Sequence, residues 1–260
     1  MMKNIIKSEF LRLKKDKLCR IIFFFFLIAG SVLSLETQSY VYMSDMSGGE
    51  NVLMSIAMVS FAVQFFLYIY VSYICGSDFR DKTCNYQIIA GHTRAEVYFG
   101  KAIMIISAAA ILSAVLSAVY IFTIILYSGG WGDTLKISDM LIRMVLFFFC
   151  IIRIICVLIF MTFIFKNQYA VVITGFISNF LFNIYADTNE RNYYILGTLN
   201  IKELCKFDFW TSFGINGDLH FVYDIALSSE LITGTIFSSV IVSGAALILG
   251  YAFFKYDDMH

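Results

Sequence analysis

Proline is absent from this chain of 260 residues, and charge is scarce, at 15% Asp, Glu, Lys and Arg. Soluble domains carry about 25% charged residues. The scarcity, with 60% hydrophobic residues and a mean hydropathy of +0.79, excludes an ordinary soluble domain and indicates a membrane protein. Nucleotide-binding fingerprints are missing as well. Gly100-Lys101 looks like the end of a phosphate-binding loop, but Ala95 and Ala102 stand where that loop needs Gly and Ser or Thr. The three histidines (His92, His220, His260) are scattered, and neither His-Glu-x-x-His nor Gly-x-Ser-x-Gly occurs. The six cysteines show no metal spacing and no paired pattern. Only Cys205 falls in an expected outer loop, where a disulfide would have no partner, and Cys150 and Cys156 read as small apolar residues of a membrane helix. The chain itself is therefore not expected to bind ATP, to hold a metal or another cofactor, to catalyse bond cleavage or to bind nucleic acid. An intramembrane enzyme would need paired acids, a Ser/Lys pair or a metal cluster within its spans, and none is visible.

What is abundant fits the same class. Twenty-seven Phe and sixteen Tyr suit helices facing lipid, with aromatic belts at the two borders. Apolar runs place six spans at about 21–42, 52–76, 99–127, 141–165, 169–186 and 231–253. The fold class expected is all-α, a single polytopic membrane domain over 1–260. Residues 1–20 carry seven Lys and Arg among Ile5, Ile6, Phe10, Leu13 and Leu18, which suits an interfacial amphipathic helix with its apolar side on the membrane and its basic side toward anionic headgroups. Ala110, Ala114 and Ala118 form a ladder at i, i+4 that permits close helix approach, and Tyr127 and Trp131 mark the far interface. Residues 187–229 form one long outer loop, in which Leu199, Glu203, Lys206 and Trp210 suggest a partial helix, a cap or a lid. Of the nineteen Lys and Arg, thirteen lie on the side that holds the termini, so both termini are expected in the cytoplasm.

Between the second and third spans, residues 77–98 mix charge and apolar side chains more densely than either neighbour. Ser77 or Asp78 can cap a short helix, in which Phe79, Thr83, Tyr86 and Ala90 recur at spacings of three and four. Gly91 can close that helix in the left-handed conformation, and Thr93 with Glu96 forms a capping box that starts a new helix at Arg94. A short amphipathic helix, a tight break and a membrane helix are expected there.

The basic start, the six spans and the run Asp78-Phe79-x-x-x-Thr83, Gly91-x-x-Arg94 and Gly100-Lys101 together resemble a bacterial permease of the ABC-2 type. Asp81-Lys82 stands where the commoner family version has Asn-Gly or Gly before the Thr. The resemblance implies a coupling helix over 77–98 that docks on a separate ABC ATPase subunit, which would hold ATP and magnesium. It makes Asp78, Phe79, Arg80, Thr83, Tyr86, Gly91 and Arg94 the coupling residues, with Phe79 and Tyr86 as aromatic anchors. It also implies a second permease copy or homologue, a place in the bacterial cytoplasmic membrane, and export of an amphipathic or peptide substrate, in the manner of peptide-antibiotic export or immunity. A non-transporting membrane protein, such as a sensor or an assembly subunit, is the competing class.

Polar residues inside the spans are the candidates for a substrate pathway. Arg153 lies near the middle of the fourth span, where an arginine costs at least roughly 2.5–3.5 kcal/mol and rarely faces lipid. Glu36, the one carboxylate inside an expected span, lies toward the outer end of the first. Partners for Arg153 are therefore sought among Gln64, Asn179, Asn183, backbone carbonyls, water, a second subunit or an acidic group on the substrate. Gly175, Asn179 and Asn183 share one stripe of the fifth span, expected to face protein or a pathway.

Overall fold

The computed structural model describes residues 2–41, 48–127, 137–177 and 229–256. Side chains are described in these ranges except at 2, 33–61, 137, 139, 140, 143, 229–231, 234, 235 and 238. The described residues form eight helices and no strand: α1 (Met2–Lys15), α2 (Lys17–Val41), α3 (Gly48–Arg80), α4 (Thr83–Ile89), α5 (Arg94–Tyr127), α6 (Ile137–Phe165), α7 (Gln168–Ile177) and α8 (Ser229–Tyr256). Among these, three segments are long and apolar enough to cross a membrane: Arg94–Tyr127, Met144–Phe165 and Ser239–Tyr256. The first and second expected spans fall on α2 and α3, and the fifth begins in α7. Asn179, Asn183, Trp131, the side chain of Glu36 and the expected loop 187–229 up to residue 228 lie outside the described residues.

The bundle is built around α3 and α5. α3 packs on α5, α2 and α6, α8 packs chiefly on α6, and α1 lies against α5. Close approach of α2 to α5 is made at Gly30, where a Cβ would run into the Tyr120 ring, and the Tyr120 hydroxyl donates to the Phe26 carbonyl. Tyr98 does the same work between α5 and α8: its hydroxyl donates to the Leu247 carbonyl at 3.0 Å, and its ring meets Phe163 and Phe254. The expected alanine ladder is not the packed seam. Ala110 is buried but Ala114 and Ala118 are exposed, and α5 packs instead through Ala109, Ser113, Leu116, Ser117 and Tyr120. That face was hidden in the sequence because it mixes small, polar and aromatic side chains.

Two expectations about local structure are corrected. Residues 1–20 do not form one interfacial helix. Asp16 interrupts the chain, and its carboxylate accepts from the amides of Leu18 (2.8 Å) and Cys19 (3.3 Å), so it caps a second helix. The apolar stripe of α1 also turns inward, with Ile5, Glu9 and Leu13 buried on the protein side and Phe10 and Leu11 exposed with the lysines. At the other break, neither Ser77 nor Asp78 starts a helix. α3 runs on to Arg80, and Lys82 stands before α4 at φ 52 with no side-chain cap.

Candidate functional site

The stretch between α3 and α5 is shaped by two residues in the left-handed region. Lys82 breaks the phase of the helix, so Phe79 and Thr83 turn inward while Tyr86 and Ala90, expected on the same stripe, face outward. Gly91, at φ 93, ends α4. The His92 amide reaches the Gln87 carbonyl (3.2 Å) and the Gly91 amide reaches Ile88 (3.0 Å), the paired bonds of a Schellman closure. The capping box follows as expected: the Thr93 amide donates to Glu96 Oε2 (3.1 Å) and the Glu96 amide to Thr93 Oγ1 (3.2 Å). These bonds to the Thr93 amide and hydroxyl hold the Glu96 carboxyl below its ordinary range.

The inward side of this junction is a buried ion cluster. Lys101, with only 1% of its side chain exposed, places Nζ 2.8 Å from Glu9 Oε1 and 2.9 Å from Asp78 Oδ2. Arg12 closes the group, pairing with Asp78 and lying 3.2 Å from Glu9 Oε2. Thr83 Oγ1 donates to Asp78 Oδ1 at 2.7 Å, and Gln87 Nε2 donates to Glu9 Oε1 at 3.0 Å. Two cations face two carboxylates, so the formal charge sums to zero, and four helices (α1, α3, α4, α5) each contribute. Burial pulls the Arg12 guanidinium down, but Asp78 and then Glu9 more than offset it, and its pKa lies above the ordinary value. Beside the cluster, burial pushes the Cys84 thiol up to about 12 against the lowering by Lys101, which keeps it neutral.

The outward side is different. Tyr86 is 65% exposed and Ile89 81%, on the face that also carries Lys82 and Ala90. Arg80 and Asp81 pair with each other at 2.9 Å in solvent, and the hydrogen bond from Arg80 lowers the Asp81 carboxyl. The seven expected coupling residues are thus sorted by the geometry. Asp78 and Thr83 are bound to each other inside, and Phe79 packs edge-on against Phe163 with centroids 5.2 Å apart. Arg94 donates to the carbonyls of Phe254 and Lys255, tying the start of α5 to the end of α8. Gly91 shapes the turn, and Arg80 and Tyr86 stay outside.

Sequence reasoning missed Glu9, Arg12 and Lys101 as members of this site. A signal for them exists. Glu9 is the lone acid on the Ile5–Leu13 stripe, and Lys101 lies one turn after Val97 on an apolar face with no acid on its own turn. Each is a charge on a buried stripe, and each needs a partner of opposite sign.

Of the expected pathway residues, Gln64 and Arg153 are both buried in the bundle. Gly175 is buried where α7 meets α3, with a Cβ position 3.1 Å from Tyr68, so the described start of the stripe faces protein. Among the described residues, no three His, Cys, Asp or Glu side chains converge in a way that could hold a metal ion.

These features define a helical membrane protein in which, among the described residues, paired charges gather at the junction of two long helices. The model of the ABC-2 family transporter proteins matches residues 5–182, more than half of the chain, and the chain belongs to that family. It is an ABC-2 transporter membrane component, consistent with a non-catalytic subunit, and ABC-2 permeases generally pair with an ABC ATPase. No curated protein matches the chain.

Proposed function

We propose that this chain is the six-span permease subunit of a two-part ABC exporter, and that the outer face of α4 receives the ATPase. The observation that carries the reading is the exposure of Tyr86 and Ile89 on a short helix held between two membrane-length helices. An isolated apolar pair at an interface gains most when it fills a groove on a partner. The ion cluster beneath supports the role, because a surface that transmits a push must be fixed to what it moves. The excess of Lys and Arg on the side that holds both termini supports a cytoplasmic location for this junction. ATP and magnesium belong to the partner subunit, and a second permease copy completes the pathway.

An amphipathic or peptide substrate suits the polar residues inside the bundle. Gln64 is buried with no hydrogen-bond partner for Oε1 among the described residues, and an unmet amide oxygen in an apolar setting favours a ligand that can donate. The test is purification from native membranes. An ATP-hydrolysing subunit that copurifies with the chain, and whose activity rises with its substrate, is the expected result. A stable chain that carries no such subunit would contradict the reading and favour a sensor or an assembly subunit.

A further inference from the structure

We infer that the elbow where α1 meets α2 is a binding site for one anionic phospholipid. Four cations, Lys14, Lys15, Lys17 and Arg20, lie within seven residues and are all exposed. None of them forms an ion pair with a carboxylate among the described residues. Asp16 lies between them, but its carboxylate accepts from the Leu18 amide and from the Tyr73 hydroxyl at 3.2 Å, so it is turned toward its own helix and α3. The elbow thus keeps a positive surface.

An apolar track leads away from it. Leu18, Ile21, Phe25, Ile28 and Val32 are exposed and recur at spacings of three and four, which makes one stripe on α2 roughly 21 Å long. Lys17 belongs to the edge of that stripe, because Lys17, Ile21, Phe24 and Ile28 follow i, i+4, i+7 and i+11 and are all exposed. Cations at one end and a continuous apolar track behind them match an acidic headgroup with acyl chains. A soluble anion would leave the track bare. A second copy of this chain would bring the same four cations against themselves. The Glu9–Lys101 and Arg12–Asp78 pairs fix α1 on the bundle, which holds the last turn of α1 beside the first turn of α2 instead of letting it swing.

The test uses the full chain purified in detergent, with phosphatidylglycerol and phosphatidylcholine of identical acyl chains in equal amounts, read by native mass spectrometry. Phosphatidylglycerol is expected to be retained in preference. Replacing Lys14, Lys17 and Arg20 by Gln should weaken its retention by about fivefold per cation removed. The charge-conserving set Lys14→Arg, Lys17→Arg and Arg20→Lys should keep the preference, and single Lys17→Gln and Arg20→Gln variants give a graded reading if the triple variant does not fold. Inorganic phosphate and glycerophosphate should fail to compete. Equal retention of the two lipids, an unchanged preference in the Gln variants, or competition by phosphate would each overturn the proposal. So would a disulfide between copies bearing Ile21→Cys, which would seat a second copy on the stripe.

Discussion

Two charged groups lie within five residues of each other at the α3–α4 break, and they differ in almost every respect. Arg80 and Asp81 pair in solvent, with more than half of each side chain exposed. Asp78, three residues earlier, is buried against Lys101, Arg12 and Thr83. The exposed pair is screened and belongs to one helix end, so it constrains little. The buried group spans four helices and removes its charges from water, so each member depends on the others. Neighbouring acids in one short sequence therefore do opposite jobs: one keys the junction to the bundle, the other leaves its outer face free. The same division separates the inward Phe79 from the outward Tyr86.

The largest effect is expected on the buried side. Lys101→Met strips Glu9 and Asp78 of their shared cation and leaves an uncompensated negative charge, at a cost of about 3–5 kcal/mol. Thermal or denaturant unfolding in micelles would show it. Adding Glu9→Gln to Lys101→Met restores neutrality, so the double variant should be more stable than Lys101→Met alone. Simple additivity of the two losses would contradict a shared cluster.

On the outward side the loss should fall on partner binding and not on folding. Tyr86→Ala with Ile89→Ala should weaken ATPase association by at least about 2 kcal/mol, the scale of an interface anchor, while the unfolding of the isolated chain stays unchanged. A variant that unfolds earlier but still binds would reverse the assignment of the two faces.

Smaller effects test the turn that joins the faces. Gly91 has no neighbour within 4 Å of its Cβ position, so Gly91→Ala meets no clash and pays only for its φ of 93. That cost is about 1–2 kcal/mol, read as lost stability or as faster amide exchange at His92. The capping box gives the mildest signal. The Glu96 carboxyl is held below its ordinary value, so its contribution is present above the usual glutamate range and is lost as pH falls through the lowered pKa. With the intrinsic pH dependence of amide exchange divided out, the protection of the first amides of α5 should fall on acidification in the native chain and be indifferent to it in Glu96→Gln.

Much of this was legible in the sequence, because some signals are local. The capping box, the closure at Gly91 and the start of α5 at Arg94 follow from residue types a few positions apart. The all-helical class follows from composition and apolar runs. The ion cluster was not legible, because its members are 9, 12, 78 and 101, and no local rule brings them together. Nor was the phase of α4. A continuous helix through 79–90 would set Phe79, Thr83 and Tyr86 on one face, and a single lysine in the left-handed region undoes that. Glycine would have announced such a break, and Lys82 does not.

The most direct test of the central division is a photocrosslinking residue placed at position 86 and, separately, at position 79, in the full chain in its native membrane. Crosslinking from 86 to a subunit that also takes up a photoreactive ATP analogue, with none from 79, is the predicted result. Crosslinking from 79 and not from 86 would contradict it, since Phe79 would then have left Phe163 to meet the partner.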